Sequence, residues 1–146
     1  MKPFKLQVVL DYRQRLEDQA CLRYSQAQQQ YDLLVLEQQE AQRLSEQLQQ
    51  EYQVKQQQGM LGHEFLLYEN RIHAQREQGQ KLRYALKKAQ DQVERCREEL
   101  ADASRNKKLL EKLKEKKQHE ALLEELRKEM IHIDEMAIMF RNGDES

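Results

Sequence analysis

Apolar and small residues recur along residues 65–103 in an unbroken alternation of three- and four-residue steps. The positions are Phe65, Tyr68, Ile72, Gln75, Gly79, Leu82, Leu86, Ala89, Val93, Cys96, Leu100 and Ala103. This is the a/d seam of a coiled-coil helix, soft at Gln75 and Gly79. The first half carries a rougher stripe at similar spacing through Val9, Tyr12, Leu16, Ala20, Tyr24, Ala27, Tyr31, Leu34, Gln38, Ala41, Leu48 and Tyr52. Between the stripes, Gln58-Gly59-Met60-Leu61-Gly62-His63 places two glycines within four positions, whereas Lys5 to Gln57 contains neither Gly nor Pro. Gly79 is isolated and does not end a helix by itself. Asn142-Gly143 supplies a stop signal, and Pro3 stands where a missing N–H costs nothing. The pattern predicts one domain over residues 1–146: helix 1 over about 5–57, a connector over 58–63, helix 2 over 64–140, and an acidic tail over 141–146.

Neither helix can bury its stripe alone, and a short connector makes consecutive helices antiparallel neighbours. The expected fold is all-α, a long two-helix antiparallel coiled-coil hairpin. With the turn near position 60, residue i faces roughly 121 − i. Lys5 then stands opposite about Lys116, and the residues from about Lys117 to Phe140 have no mate in helix 1. At 1.5 Å per residue this C-terminal overhang spans ~35 Å of a helix of ~115 Å. It holds Leu122, Leu123, Leu126, Met130, Ile131, Ile133, Met136, Ala137, Ile138, Met139 and Phe140. Apolar surface on that scale marks a partner site, and methionines suit a surface that repacks. The spacing leaves three mates open: a second copy, another protein, or the chain's own N-terminus on a slipped register.

Composition agrees with long helices. Charged residues make up 35 % of the 146, yet 25 Lys and Arg against 26 Asp and Glu leave a net charge of −1. Good helix formers dominate, and the mean hydropathy is −1.05. Four Gly and one Pro are too few for the turns of a many-element enzyme fold. Near-neutral charge argues against nucleic acid as a partner. No apolar run reaches the ~20 residues of a membrane span, and the Met1-Lys2-Pro3-Phe4 start lacks a signal-peptide core, so the cytosol is expected. Cys21 and Cys96 form no disulfide framework and too small a ligand set for a metal; Cys96 is expected as a buried, small apolar residue. His63, His73, His119 and His132 have no metal-binding spacing, and no phosphate loop, nucleophile elbow or dinucleotide fingerprint occurs. No enzyme activity, cofactor or small-molecule substrate is expected. The glutamine clusters, such as Gln28-Gln29-Gln30 and Gln56-Gln57-Gln58, read as a polar helix face. Seven basic residues from Arg105 to Lys117 form either a solvated face or a collar for an acidic partner or anionic lipid surface.

The opening Phe4-Lys5-Leu6-Gln7-Val8-Val9-Leu10-Asp11-Tyr12-Arg13, followed by Glu17 and Ala20, resembles the start of the flagellar FliJ family. The likeness continues through the glycine-containing connector and Phe65 to Tyr68, and ends at Ile133-Asp134-Glu135-Met136-Ala137. The resemblance implies a cytoplasmic component of the flagellar type III export apparatus, associated with the inner face of the cell membrane. It implies a two-helix stalk whose open end enters the export ATPase ring and whose tip meets the cytoplasmic domain of the export-gate membrane protein, with export chaperones as further partners. Carried onto this sequence, the gate-binding positions are Leu48, Tyr52, Tyr68 and Ile72. Those expected in the ATPase ring are Phe4, Leu6, Leu10 and Arg13 at the N-terminus with Leu126, Met130, Ile133, Ala137 and Phe140 on the overhang. Two rivals stay open: the equivalent stalk of a virulence-type secretion system, and a generic homodimeric coiled-coil scaffold.

Overall fold

A computed structural model describes residues 5–144. Two long helices pack against each other as an antiparallel hairpin, with no strand among the described residues. α1 spans Gln7–Gln58 and α2 spans Gly62–Asp144. The turn is tighter than the sequence suggested, residues 59–61 instead of 58–63. Its first residue explains the stop: Gly59 has φ +94°, the left-handed conformation that terminates a helix and that a side chain disfavours. Gly62, by contrast, is absorbed into the first turn of α2, where the Phe65 amide donates to the Leu61 carbonyl at 3.2 Å. Glu64 places an acidic group in that turn, favourable to the helix dipole. Gly143, expected as a stop, lies inside α2. Phe4, Pro3 and the end of the acidic tail, Glu145-Ser146, lie outside the described residues.

The chain divides into two compact units, one of Asp18–Ala101 and one joining the residues up to Glu17 with those from Asp102 onward. In the Asp18–Ala101 unit the expected seam is nearly intact. Ala20, Leu48, Leu82 and Cys96 are buried, and every other stripe position of α2 from Tyr68 to Leu100 is half-buried. Phe65 is the exception, at 44 % exposure. Arg23 and Glu99 approach across the seam to 3.6 Å, close to the register expected from the turn position.

In the other unit the stripe of α1 runs differently. Leu10 is buried while Val9 and Tyr12 are exposed. Gln14 and Glu17 are half-buried on the same line, as is Leu16 of the expected stripe. An α-helix drifts against a strict seven-residue repeat, and here that drift carries Val9 and Tyr12 off the contact. Across from them, Ala103, Ser104, Lys107, Leu110 and Leu113 are half-buried. Lys107 donates to Glu17 at 2.8 Å, with the two side chains only 17 % and 19 % exposed. This polar layer occupies a seam position that an apolar pair would ordinarily fill.

Candidate partner-binding surfaces

The mate for α2 ends where the register said it should. Lys114 is its last half-buried residue, and every position from Glu115 to Gly143 is exposed. Leu126, Met130 and Ile133 stand 48 %, 62 % and 61 % exposed, and Phe140 78 %. Ala137 is exposed as well. From Met130 to Phe140 only His132, Asp134 and Glu135 interrupt an apolar surface that runs all the way round the helix. A helix apolar on every side normally sits inside other protein. Leu122, Leu123 and Met139 add to the same exposed set.

The N-terminal positions separate. Leu6 is exposed at the beginning of α1, its carbonyl accepting from the Leu10 amide at 2.9 Å. Leu10 is buried against α2 and Arg13 is half-buried, so neither is presented as Leu6 is. Val8 and Val9, which the periodicity did not single out as binding residues, are exposed beside them. Their signal was available: in Val8-Val9-Leu10 no single helix face can bury all three.

In the Asp18–Ala101 unit an aromatic cluster forms between α1 and α2. Tyr52 lies 5.4 Å from Tyr68 and 6.2 Å from Phe65 between ring centroids, both pairs tilted. Such tilted pairs are favoured by the ring quadrupoles. The Tyr52 hydroxyl donates to Glu69 at 3.0 Å. Burial first, then that carboxylate, raise the phenol above its ordinary pKa. Arg71 stacks over the Tyr68 ring at 5.6 Å. Leu48 is buried and Ile72 half-buried, so the four positions come together, but facing the opposite helix. The outward apolar surface of this end belongs to Val54, Leu61, Leu66 and Leu67, none of which lies on an a/d stripe. Departure from the stripe was their sequence signal.

Of the basic residues from Arg105 to Lys117, Arg105 pairs with Asp102 at 3.4 Å, and Lys107 with Glu17 and with Glu111 at 3.7 Å. Lys107 and Ser104 together hold the Glu17 carboxyl below its usual range. Three other exposed ion pairs are local i,i+3 clasps, Arg43–Glu40, Arg97–Glu94 and Arg127–Glu124, each at 2.6 Å. Cys96 is buried and accepts a weak hydrogen bond from Gln92 at 3.5 Å, whereas Cys21 is exposed. Among the described residues no cluster of three His, Cys, Asp or Glu side chains could hold a metal ion. No helix there is long and apolar enough to cross a membrane.

Two long helices packed against each other, with no strand among the described residues, define an all-α hairpin protein. The model of one family, described as "Flagellar FliJ protein", matches residues 1–144. The chain therefore belongs to the FliJ family, non-enzymatic coiled-coil proteins related to flagellar export. Among curated proteins and among solved structures nothing matches the chain.

Proposed function

We propose that this protein is a stalk of the flagellar type III export apparatus, binding the export ATPase ring at its open end and the cytoplasmic domain of the export-gate membrane protein at its turn. The observation that carries this reading is the bare, all-round apolar end of α2. A ring encloses a helix on every side, which suits the all-round apolar surface of residues 130–140. Leu126, Met130, Ile133, Ala137 and Phe140 are the proposed contacts, with exposed Leu6 beside the N-terminal segment; Leu10 and Arg13 would support that segment through their packing on α2. At the turn, Leu48, Tyr52, Tyr68 and Ile72 would shape the gate-binding surface, with Leu66 and Leu67 on its outside. The protein would then work in the cytoplasm, held peripherally at the membrane by the gate, with export chaperones as further ligands.

The test is removal of Leu122 to Ser146. No residue in that range packs on α1 among the described positions, so the remaining hairpin should fold and melt cooperatively. Burying the lost face would contribute several kcal/mol, at ~25 cal/mol per Å² before association costs. Stimulation of the export ATPase should vanish while gate affinity is kept. Stimulation that survives the deletion would remove α2's end from the ring.

A further inference from the structure

The bare end of α2 is the second half of a longer stripe. Going back from Phe140 through Ala137, Ile133, Met130, Leu126 and Leu123, the steps alternate three and four. The same alternation continues without a break through His119, Lys116, Lys112, Leu109 and Arg105. This is a second heptad line, and it lies on roughly the opposite side of the helix from Ala103, Lys107 and Leu110, which pack on α1. All of it is exposed, including Leu109 at 62 %. Its two halves differ in chemistry: the C-terminal half is apolar, whereas the N-terminal half carries Arg105, Lys112 and Lys116 on the line and Lys108 at its flank.

Among the described residues, Lys108, Lys112 and Lys116 form no ion pair. Glu111 and Glu115 lie three residues beyond Lys108 and Lys112, a spacing that permits ion pairs, yet neither lysine makes one within 4.0 Å, nor does Lys116. Glu111 turns instead to Lys107.

We infer that this outward line is a second coiled-coil seam, and that its occupant is a helix of another protein whose own stripe is apolar along one half and acidic along the other. A seven-residue repeat is the imprint of a helical mate, and a basic stretch in line with an apolar one asks for carboxylates there. A second copy fits less well. Laid antiparallel along the whole line it would set Arg105 on Phe140 and Lys112 on Ile133, charge against apolar surface, and laid parallel it would set lysine on lysine. The inference rests on the reading of α2's end as a partner-binding element, and it names the chemistry of one partner face.

Designed helical peptides of about five heptads test it without the export ATPase. Each carries leucine on half of its stripe and glutamate, or in the control lysine, on the other half, in both chain directions. Fluorescence anisotropy with the full chain should show one glutamate peptide binding roughly tenfold more tightly than its lysine control at low salt. The difference should shrink at about 1 M salt, where screening reaches ~3 Å. The triple variant Lys108→Glu, Lys112→Glu, Lys116→Glu should reverse the preference, while Lys117→Glu, off the line, should leave it in place. Circular dichroism should show both variants melting as the parent does. Equal affinity for the two peptide types, an unreversed preference, or sedimentation as a dimer that excludes the peptide would overturn the inference. So would capture by phosphatidylglycerol vesicles in place of peptide. Loss of ATPase stimulation on deleting the C-terminal segment would stand regardless, so the two readings fail separately.

Discussion

Two glycines sit in opposite environments, and alanine at each should shift stability in opposite directions. Gly79 lies in the interior of α2, half-buried on the seam, with helical backbone. A Cβ built there meets only the Arg83 guanidinium, at 3.9 Å, an ordinary van der Waals contact. Gly79→Ala therefore removes the entropic penalty of glycine in a helix without creating a clash. The expected gain is about 1 kcal/mol. For a chain of this size that raises Tm by roughly 3–5 °C. Gly59 has as much space, since nothing lies within 4 Å of its Cβ position, but its φ of +94° penalises any side chain. Gly59→Ala should cost about 1–2 kcal/mol, from backbone conformation alone. Thermal unfolding followed by far-UV circular dichroism reads both. A destabilising Gly79→Ala would mean that the helices approach more closely at that layer than described, or that α2 is broken there. A neutral Gly59→Ala would mean that the turn does not use the left-handed glycine.

Three further outcomes follow from the packing. Cysteines at Leu34 and Leu86, both half-buried on facing stripes, should crosslink within one chain in a Cys21→Ser, Cys96→Ala background, and crosslinking only between chains would refute the hairpin. Tyr52→Ala with Tyr68→Ala should weaken gate binding roughly 30-fold, as for two aromatic anchors worth about 2 kcal/mol together; a fall in Tm with unchanged affinity would assign the rings to the seam alone. The Lys107 ammonium holds the Glu17 carboxyl below its ordinary range, so the pair contributes fully above that range and is lost as pH falls through the lower folded value. Acid should therefore destabilise the parent more than Glu17→Gln over that window, and equal slopes would show that the pair does not form.

The long-range architecture was legible because it depends on repetition. The alternation from Tyr68 to Ala103 fixed one face of α2, and the connector glycines fixed which residues could face it. Loss of burial after Lys114 then follows by counting from the turn. Less legible was anything decided within a single turn. Val9 and Leu10 are both apolar and adjacent, and only packing says that Leu10 is inside. Lys107 reads from sequence as part of a basic run, either solvated or facing a partner, because nothing in its neighbourhood names Glu17, 90 residues away, as its mate. The same holds at the turn. Tyr52 and Tyr68 are equally good as seam layers and as interface anchors, and their contact with each other does not by itself separate the roles. The connector was too long in the sequence reading because both glycines were counted as breakers, when only Gly59 adopts a conformation that breaks a helix.

The polar layer of Glu17 and Lys107 gives the N-terminal turns of α1 a distinct energetic character. Beyond it toward the N-terminus, Leu10 is the one buried apolar side chain among the described residues, while Val8, Val9 and Tyr12 are turned outward. An ion pair drawn out of water contributes little net stability, because desolvation offsets most of the attraction, yet it disfavours every register that leaves either charge unpaired. The first turns of α1 are thus specified in position more strongly than they are held. A partner gripping this part of the chain meets outward valines on α1 and bare apolar faces on α2 from Leu122 onward. Rearranging α1 there costs only a small buried area, so the element nearest the proposed ring contact is also the one that can adjust to it most cheaply.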